Sequence, residues 1–366
     1  MTWTSPAPTP IVGDVMRACL RFTLDPAASE WPIDQPLEPA DWHALTDIAH
    51  RERVLGPLQA AIEGGLPVSN DQATDAASQH RNAMSTAAAL EAMLPGSLEP
   101  FIAAGIDVLV VKGLATTHAV YPRPELRQFG DIDLLVHPRD FAETVSVMRR
   151  HWKFHTPPIG PSAAAVQKVV TATIGDGFEL DVHQSVAWGP RWLMITSELF
   201  ARARTISIGD TRALVMDPAG LLLHAAVVLQ QPQSRLSTVL DIAHILHQAE
   251  FDQQHFADLV GKTAAGLIVQ QAFERTQSWL PTIDLKFPPR ATGTAMSQGR
   301  ESMQSFLMRR KQLAMLLSAS VVERRERPRL LRDLAVPSRE WVATSQHEGR
   351  VGHLRRLPGY LLFGED

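Results

Sequence analysis

The sequence predicts an α/β (α+β) protein in which a core of roughly 100 residues lies between two helical regions. Three observations carry this. Residues 1 to about 104 are rich in helical apolar spacing. The texture then changes to short β-branched runs, of which Ile106-Asp107-Val108-Leu109-Val110-Val111 is the first. After Asp217-Pro218 helical spacing returns. These changes define regions 1–104, 105–216 and 217–366.

In the first region, Trp42, Leu45, Ile48 and Ala49 follow one helical face, with Asp41 as the expected N-cap. Gly56-Pro57 should break or kink this helix, Leu58 and Ile62 continue its spacing, and Gly64-Gly65 stop it. An Ala-rich helix is expected from Asn70 to about Met93, ending before Pro95-Gly96. In the middle region, Lys112-Gly113 closes the first strand and opens a short helix to Val120. Phe129–Val136 reads as a second strand, and Pro138 starts a helix to about His151. Phe178–His183, entered through Gly175-Asp176-Gly177, is a third strand. Two shorter strands are expected at Thr205–Ile208 and Ala213–Met216. In the last region, Leu221–Gln230, Leu236–Ala249 and Phe256–Gly261 read as a helical bundle.

Composition narrows the function classes. The 366-residue chain is 45% hydrophobic and carries a formal net charge of −4, which argues against nucleic-acid binding through bulk positive charge. Its one cysteine, Cys19, excludes an intrachain disulfide and a multi-cysteine zinc site. No apolar run approaches a membrane span and the N-terminus lacks a secretory pattern, so a cytoplasmic protein without membrane contact is expected. From residue 301 on there are 12 Lys/Arg against 8 Asp/Glu. The cluster Arg324, Arg325, Arg327, Arg329 and Arg332 reads as a solvated face, or as a surface for an anionic acceptor.

The chemistry concentrates in Gly130-Asp131-Ile132-Asp133-Leu134-Leu135-Val136. Side chains alternate along a strand, so Asp131 and Asp133 share a face while Ile132, Leu134 and Val136 enter a core. Two like charges on one face call for a cation between them, and Mg²⁺ takes carboxylates together with substrate phosphates. By the same period, Asp181 and His183 share a face of the third strand. If that strand pairs with the first carboxylate strand, three carboxylates converge, enough to hold two Mg²⁺ ions against a nucleoside triphosphate. Each acid also has a plain reading as a solvated strand residue. Lys112-Gly113, at a strand-to-helix junction, is a candidate phosphate site, the lysine supplying charge and the glycine close approach.

Other patterns carry less. Gly261-Lys262-Thr263 ends like a P-loop, but Phe256 stands where the first glycine belongs. No Gly-x-Gly-x-x-Gly follows a strand. Asp241, His244 and His247 have helical spacing for zinc, but a polar helix face explains them as well. Arg235 and Asp241 either reach a site from the helical region or brace it.

Val110-Val111-Lys112-Gly113, Tyr121-Pro122, Arg127 and the Gly130–Val136 segment, in that order, resemble an uncharacterised nucleotidyltransferase family of the DNA polymerase β-type nucleotidyltransferase superfamily. Leu180-Asp181-Val182-His183 resembles that family's Asp-x-His strand, and Leu222-Leu223-His224 and Leu240-Asp241-Ile242-Ala243 its downstream helices. The resemblance covers roughly residues 40 to 250. It implies a small mixed β-sheet core flanked by helices, and transfer of a nucleoside monophosphate from an NTP, foremost ATP, to a hydroxyl acceptor. It also implies Asp131, Asp133 and Asp181 as Mg²⁺ ligands, with Mn²⁺ as the alternative ion, and Asp181 as activator of the acceptor. Lys112, Gly113, Arg127 and His183 become candidate nucleotide contacts, Arg127 alternatively bracing Asp131. Lys112-Gly113 stands where the superfamily has Gly-Ser, and Gln184 where the family often has Trp. Proteins like this chain are often associated with peptide tailoring, which makes a peptide hydroxyl one acceptor to consider beside small molecules and proteins. Two rival readings remain: sugar transfer from a sugar nucleotide at the same metal site, and a binding module without chemistry.

Overall fold

A computed structural model of the chain describes residues 9–28, 30–157, 160, 167–231, 233–247, 251–285, 300–303 and a few positions from 328 to 338. Four helices come first: α1 (Pro10–Phe22), α2 (Pro39–Arg51), α3 (Leu55–Glu63) and α4 (Asn70–Ala103). Asp41 is not the cap of α2; it lies in the first turn and accepts a hydrogen bond from the Thr9 hydroxyl at 2.7 Å. The break after α2 comes before Gly56-Pro57, which instead occupy the first turn of α3, where proline costs little.

Helix α4 departs furthest from expectation. A capping box between Ser69 and Gln72 starts it, and it runs through both Pro95 and Pro100. An internal proline costs about 3 kcal/mol. Leu90, Leu94, Leu98 and Phe101 are buried in one core along this helix, at about 1.5–3 kcal/mol per large apolar side chain. That apolar face outweighs the missing bonds and carries the helix on to the sheet.

The centre is a mixed seven-stranded sheet: β1 (Val108–Val111), β2 (Asp131–Val136), β3 (Lys153–Thr156), β4 (Val169–Ile174), β5 (Phe178–His183), β6 (Arg204–Ile208) and β7 (Thr211–Val215), in the order β3-β4-β5-β2-β1-β7-β6. Strand β2 lies antiparallel to β1 and parallel to β5. Strands β3 and β4 are additions to the sequence reading. β4 forms a hairpin with β5 across Gly175-Asp176-Gly177, which the sequence marks only as an entry to β5. Helices α5 (Lys112–Val120), α6 (Phe141–His151) and α7 (Pro190–Ala201) connect the strands.

After β7 come α8 (Pro218–Leu229), α9 (Leu236–His247), α10 (Gln253–Thr263) and α11 (Gly266–Trp279), the last an addition to the expected bundle. Residues 248 and 249, expected to end α9, lie outside the described residues, as do Arg324, Arg325 and Arg327.

The sheet separates two cores. One face packs Ile132, Leu134, Val136, Leu180 and Val182 against the second half of α4, α5 and α6. The other carries Leu109, Val111 and Leu135 into a core shared by α1–α3 and α8–α11. The two flanking helical segments thus meet over one face of the sheet. Asp131 and Asp133 alternate with the residues of the first core, so they share the face of Leu135, under those helices. Among the described residues, no helix is long and apolar enough to cross a membrane.

Candidate active site

The candidate site forms where β1 ends, β2 begins and β5 runs alongside. Parallel pairing sets Asp133 directly against Asp181. The antiparallel partner of Asp133 is Val111, so the next residue, Lys112, projects from the adjacent strand end. Lys112 holds a left-handed backbone with φ of 54°, which costs a non-glycine residue about 1–2 kcal/mol. Gly113 follows by necessity: a Cβ there would lie 2.7 Å from Phe129 Cβ.

The Lys112 ammonium donates to Asp133 Oδ1 at 2.5 Å and stands 4.0 Å from Asp181 Oδ2. It is the cation that paired carboxylates require. Burial opposes its charge, but Asp133, Asp181 and Asp131 outweigh burial and hold the Lys112 pKa above the usual lysine value. His183 Nε2 lies 2.9 Å from the same Asp133 Oδ1. Burial, with the charges of Lys112 and Lys168, keeps the His183 pKa well below that of a free imidazole. The ring is therefore neutral, and since the carboxylate only accepts, Nε2 carries the proton and donates. Asp181 Oδ1 accepts from the Thr171 hydroxyl on β4 at 2.6 Å.

The three sequence-selected acids are not equivalent. Asp133, Asp181 and His183 offer ligand atoms within 4.8 Å of one another. Asp131 is not in that group and faces Arg53 Nη1 at 3.7 Å. The charge of Asp133, then burial, raise the Asp131 pKa against the pull of Lys112 and Arg53. Two facing carboxylates with an ammonium between them fit a hard divalent cation, and an imidazole donating to one of them fits the role of orienting it. Gly113 and Arg127 line a cleft together with Lys112, Asp131 and Asp133, but the Arg127 guanidinium is taken up elsewhere. Its Nε and Nη2 donate to the two oxygens of Asp241 on α9 at 2.8 and 2.9 Å, and Nη1 donates to the Gln128 carbonyl. Tyr121 adds its hydroxyl to Asp241 Oδ1 at 2.8 Å. Arg127 thus braces the loop before β2 against the helical layer rather than bracing Asp131.

The cleft, of about 210 Å³, opens between β2, the start of α5 and helices α8 and α9. Sequence reasoning missed Arg53 and Thr171 here. Arg53 sits in an ordinary charged helix end, Arg51-Glu52-Arg53, with no local mark of its destination. Thr171 was findable, because recognising the β4–β5 hairpin places it opposite Asp181. His224 of α8 also lines the cleft, and burial, then Lys112, Lys168 and His183, keep its pKa well below the usual value. Among the described residues no second group could hold a metal, so Asp241, His244 and His247 form no such site.

The fold is a mixed β-sheet flanked by helices, with a group on β2 and β5 that could hold a metal ion. The chain belongs to the uncharacterised nucleotidyltransferase family, whose profile matches residues 38–281. No curated protein matches it. Among solved structures, it is similar to an antigenic nucleotidyltransferase-like protein from Paracoccidioides brasiliensis, at 13% identity and a TM-score of 0.35, over 52% of this chain and 88% of that one.

Proposed function

We propose that this chain is a metal-dependent nucleotidyltransferase that moves a nucleoside monophosphate from an NTP to a hydroxyl acceptor. The observation that carries the reading is the facing pair Asp133 and Asp181, held in register on parallel strands with Lys112 between them. Asp133 and Asp181 are the proposed ligands of a divalent ion, foremost Mg²⁺ with Mn²⁺ as the alternative, and Asp131 flanks them. When bound, that ion neutralises phosphate charge and lowers the barrier to displacement.

The remaining chemistry belongs to the chain. With an ion held by Asp133 and Asp181, the Lys112 ammonium that now bonds Asp133 would be released to pair with the phosphates. Gly113 at the start of α5 lets phosphate oxygens approach backbone N–H groups. The acceptor oxygen bonds to the α-phosphorus, the bond to diphosphate breaks, and Asp181 takes the hydroxyl proton. His183 holds Asp133 through its Nε2–H. Arg127 fixes the loop entering β2 through Asp241. ATP is the first nucleotide to test and a peptide hydroxyl one acceptor class among several.

A second reading has one observation in its favour. Lys112 already stands between the facing carboxylates and offsets part of their charge, as a binding module that performs no chemistry would need. One experiment separates them: incubate the chain with Mg²⁺ and each labelled NTP, and measure binding and diphosphate release. The proposal expects metal-dependent binding that falls at least about 100-fold in Asp133→Asn and Asp181→Asn. Binding of a sugar nucleotide but of no NTP would instead favour sugar transfer.

A further inference from the structure

Among the described residues, three that are not glycine have positive φ: Arg53 at 56°, Lys112 at 54° and Ala264 at 54°. Two of the three are cations, and both line the same cleft. A left-handed arginine is unusual, and such strain concentrates where a side chain is held for use. Arg53 occupies the residue after the α2 C-cap, a position that glycine fills without strain. Its backbone is gripped there, with Arg53 N donating to the His50 carbonyl at 3.1 Å and Val54 N to the Ala49 carbonyl at 2.8 Å.

The same turn grips α9. Leu236 N donates to Glu52 Oε2 at 3.0 Å, and Ser237 N to the Glu52 carbonyl at 3.2 Å. Arg235 Nη1 donates to the Arg51 carbonyl at 2.5 Å. Two chain segments far apart in sequence are thereby clamped so that Arg53 and Arg235 line one cleft beside Asp131. Burial lowers the Arg53 pKa; Asp131 opposes this, and the positive charges of Arg235 and Arg127 add to it. Asp131 stays 3.7 Å away, an ion pair rather than a hydrogen bond, and the Arg53 side chain keeps 33% of its surface exposed. Arg127, by contrast, is consumed by Asp241. Gln231, Gln233 and Ser234 complete this side with neutral polar groups.

We propose that Arg53 and Arg235 form a polyphosphate subsite, receiving the β- and γ-phosphates of the nucleotide while the α-phosphate lies over Asp133 and Asp181. This rests on the nucleotidyltransferase reading above, but its ligand chemistry is separable from it. Guanidinium groups pair with phosphate oxygens in bidentate fashion, and two arginines, one just after α2 and one just before α9, can clamp a flexible polyanion from both sides.

The test titrates the full chain, with Mg²⁺, against inorganic tripolyphosphate, ATP and AMP, using calorimetry, and records Tm for each variant. Arg53→Gly and Arg235→Gln should each weaken tripolyphosphate and ATP about 10–100-fold, the effect of losing a charged hydrogen bond, and leave AMP within about 3-fold. Arg53→Gly should keep or raise Tm, because glycine takes the left-handed turn freely. Wild-type tripolyphosphate binding in both arginine variants overturns the subsite. So does a lowered Tm in Arg53→Gly with binding unchanged, which would make Arg53 a structural partner of Asp131. If the arginine variants bind normally while Asp133→Asn loses ATP, the subsite fails and the nucleotidyltransferase reading stands. If the arginines govern tripolyphosphate binding but no NTP releases diphosphate, the subsite stands and that reading fails.

Discussion

Arg127 and Asp241 form one charged cluster at the cleft; Lys112, Asp131, Asp133 and Asp181 form another a few residues away. In the first, both side chains are 7% exposed, the pairing is bidentate, and one positive charge meets one negative. Tyr121 closes it, and burial first, then Asp241, push the tyrosine pKa well above its usual value. In the second, three carboxylates share Lys112 and a distant Arg53, and the contacts run from 2.5 Å to 4.0 Å. Asp133 is 2% exposed, while Asp181 and Lys112 are 20% and 25% exposed. The first cluster is complete and does the work of a brace. The second carries excess negative charge at an opening, the condition in which a divalent ion and a phosphate can be taken up.

Breaking each cluster should therefore give opposite phenotypes. Asp241→Asn leaves the Arg127 guanidinium buried without a counter-charge, which costs about 3–5 kcal/mol and is read by chemical denaturation. Lys112→Met should behave otherwise. It removes the resident cation, so Tm falls without metal and Mn²⁺ restores a large part of it. Because a ligand that binds the folded state stabilises it, the Mn²⁺-induced rise should exceed that of wild type by about 1–3 kcal/mol in a thermal-shift titration. An equal rise in both would show that Lys112 does not stand in the ion's place.

The last expected effect is a pH slope. His244 on α9 packs beside Tyr121, the rings tilted by 43° with centroids 4.3 Å apart, and lies 3.2 Å from the Thr23 hydroxyl. Burial, then His247, lower its pKa to about 3. The unfolded chain gains a proton as pH falls below about 6.5, while folded His244 stays neutral until about 3. Its contribution is full above that window and is lost across it as pH falls, at up to about 1.4 kcal/mol per pH unit. His244→Gln should flatten the pH dependence of stability between about pH 6 and 4 by that share, measured by urea denaturation at each pH.

The two clusters were unequally legible in the sequence. Strand periodicity placed Asp131 and Asp133 on one face and Ile132, Leu134 and Val136 in the core, because alternation is a property of the chain itself. The pairing of β2 with β5 was conditional on adjacency, which alternation cannot supply. Which cations meet the acids was not legible. Lys112 arrives from a strand end and Arg53 from a separate helix, and their left-handed backbones have no local signature in a lysine or an arginine. The Arg127–Asp241 pair joins residues 114 positions apart, and the sequence offered both as either brace or site. Helix α4 crossed two prolines for a similar reason: its apolar face finds a sheet that the local pattern does not contain.

The most direct measurement is calorimetric titration of wild type, Asp133→Asn, Asp181→Asn and Asp241→Asn with ATP, in Mg²⁺ and in chelator. The account predicts that wild type binds only with Mg²⁺, that both site variants lose at least about 100-fold, and that Asp241→Asn binds through whatever fraction remains folded. ATP binding that persists in chelator, or that survives both Asp133→Asn and Asp181→Asn, would contradict the assignment of the facing aspartates as the metal and nucleotide site.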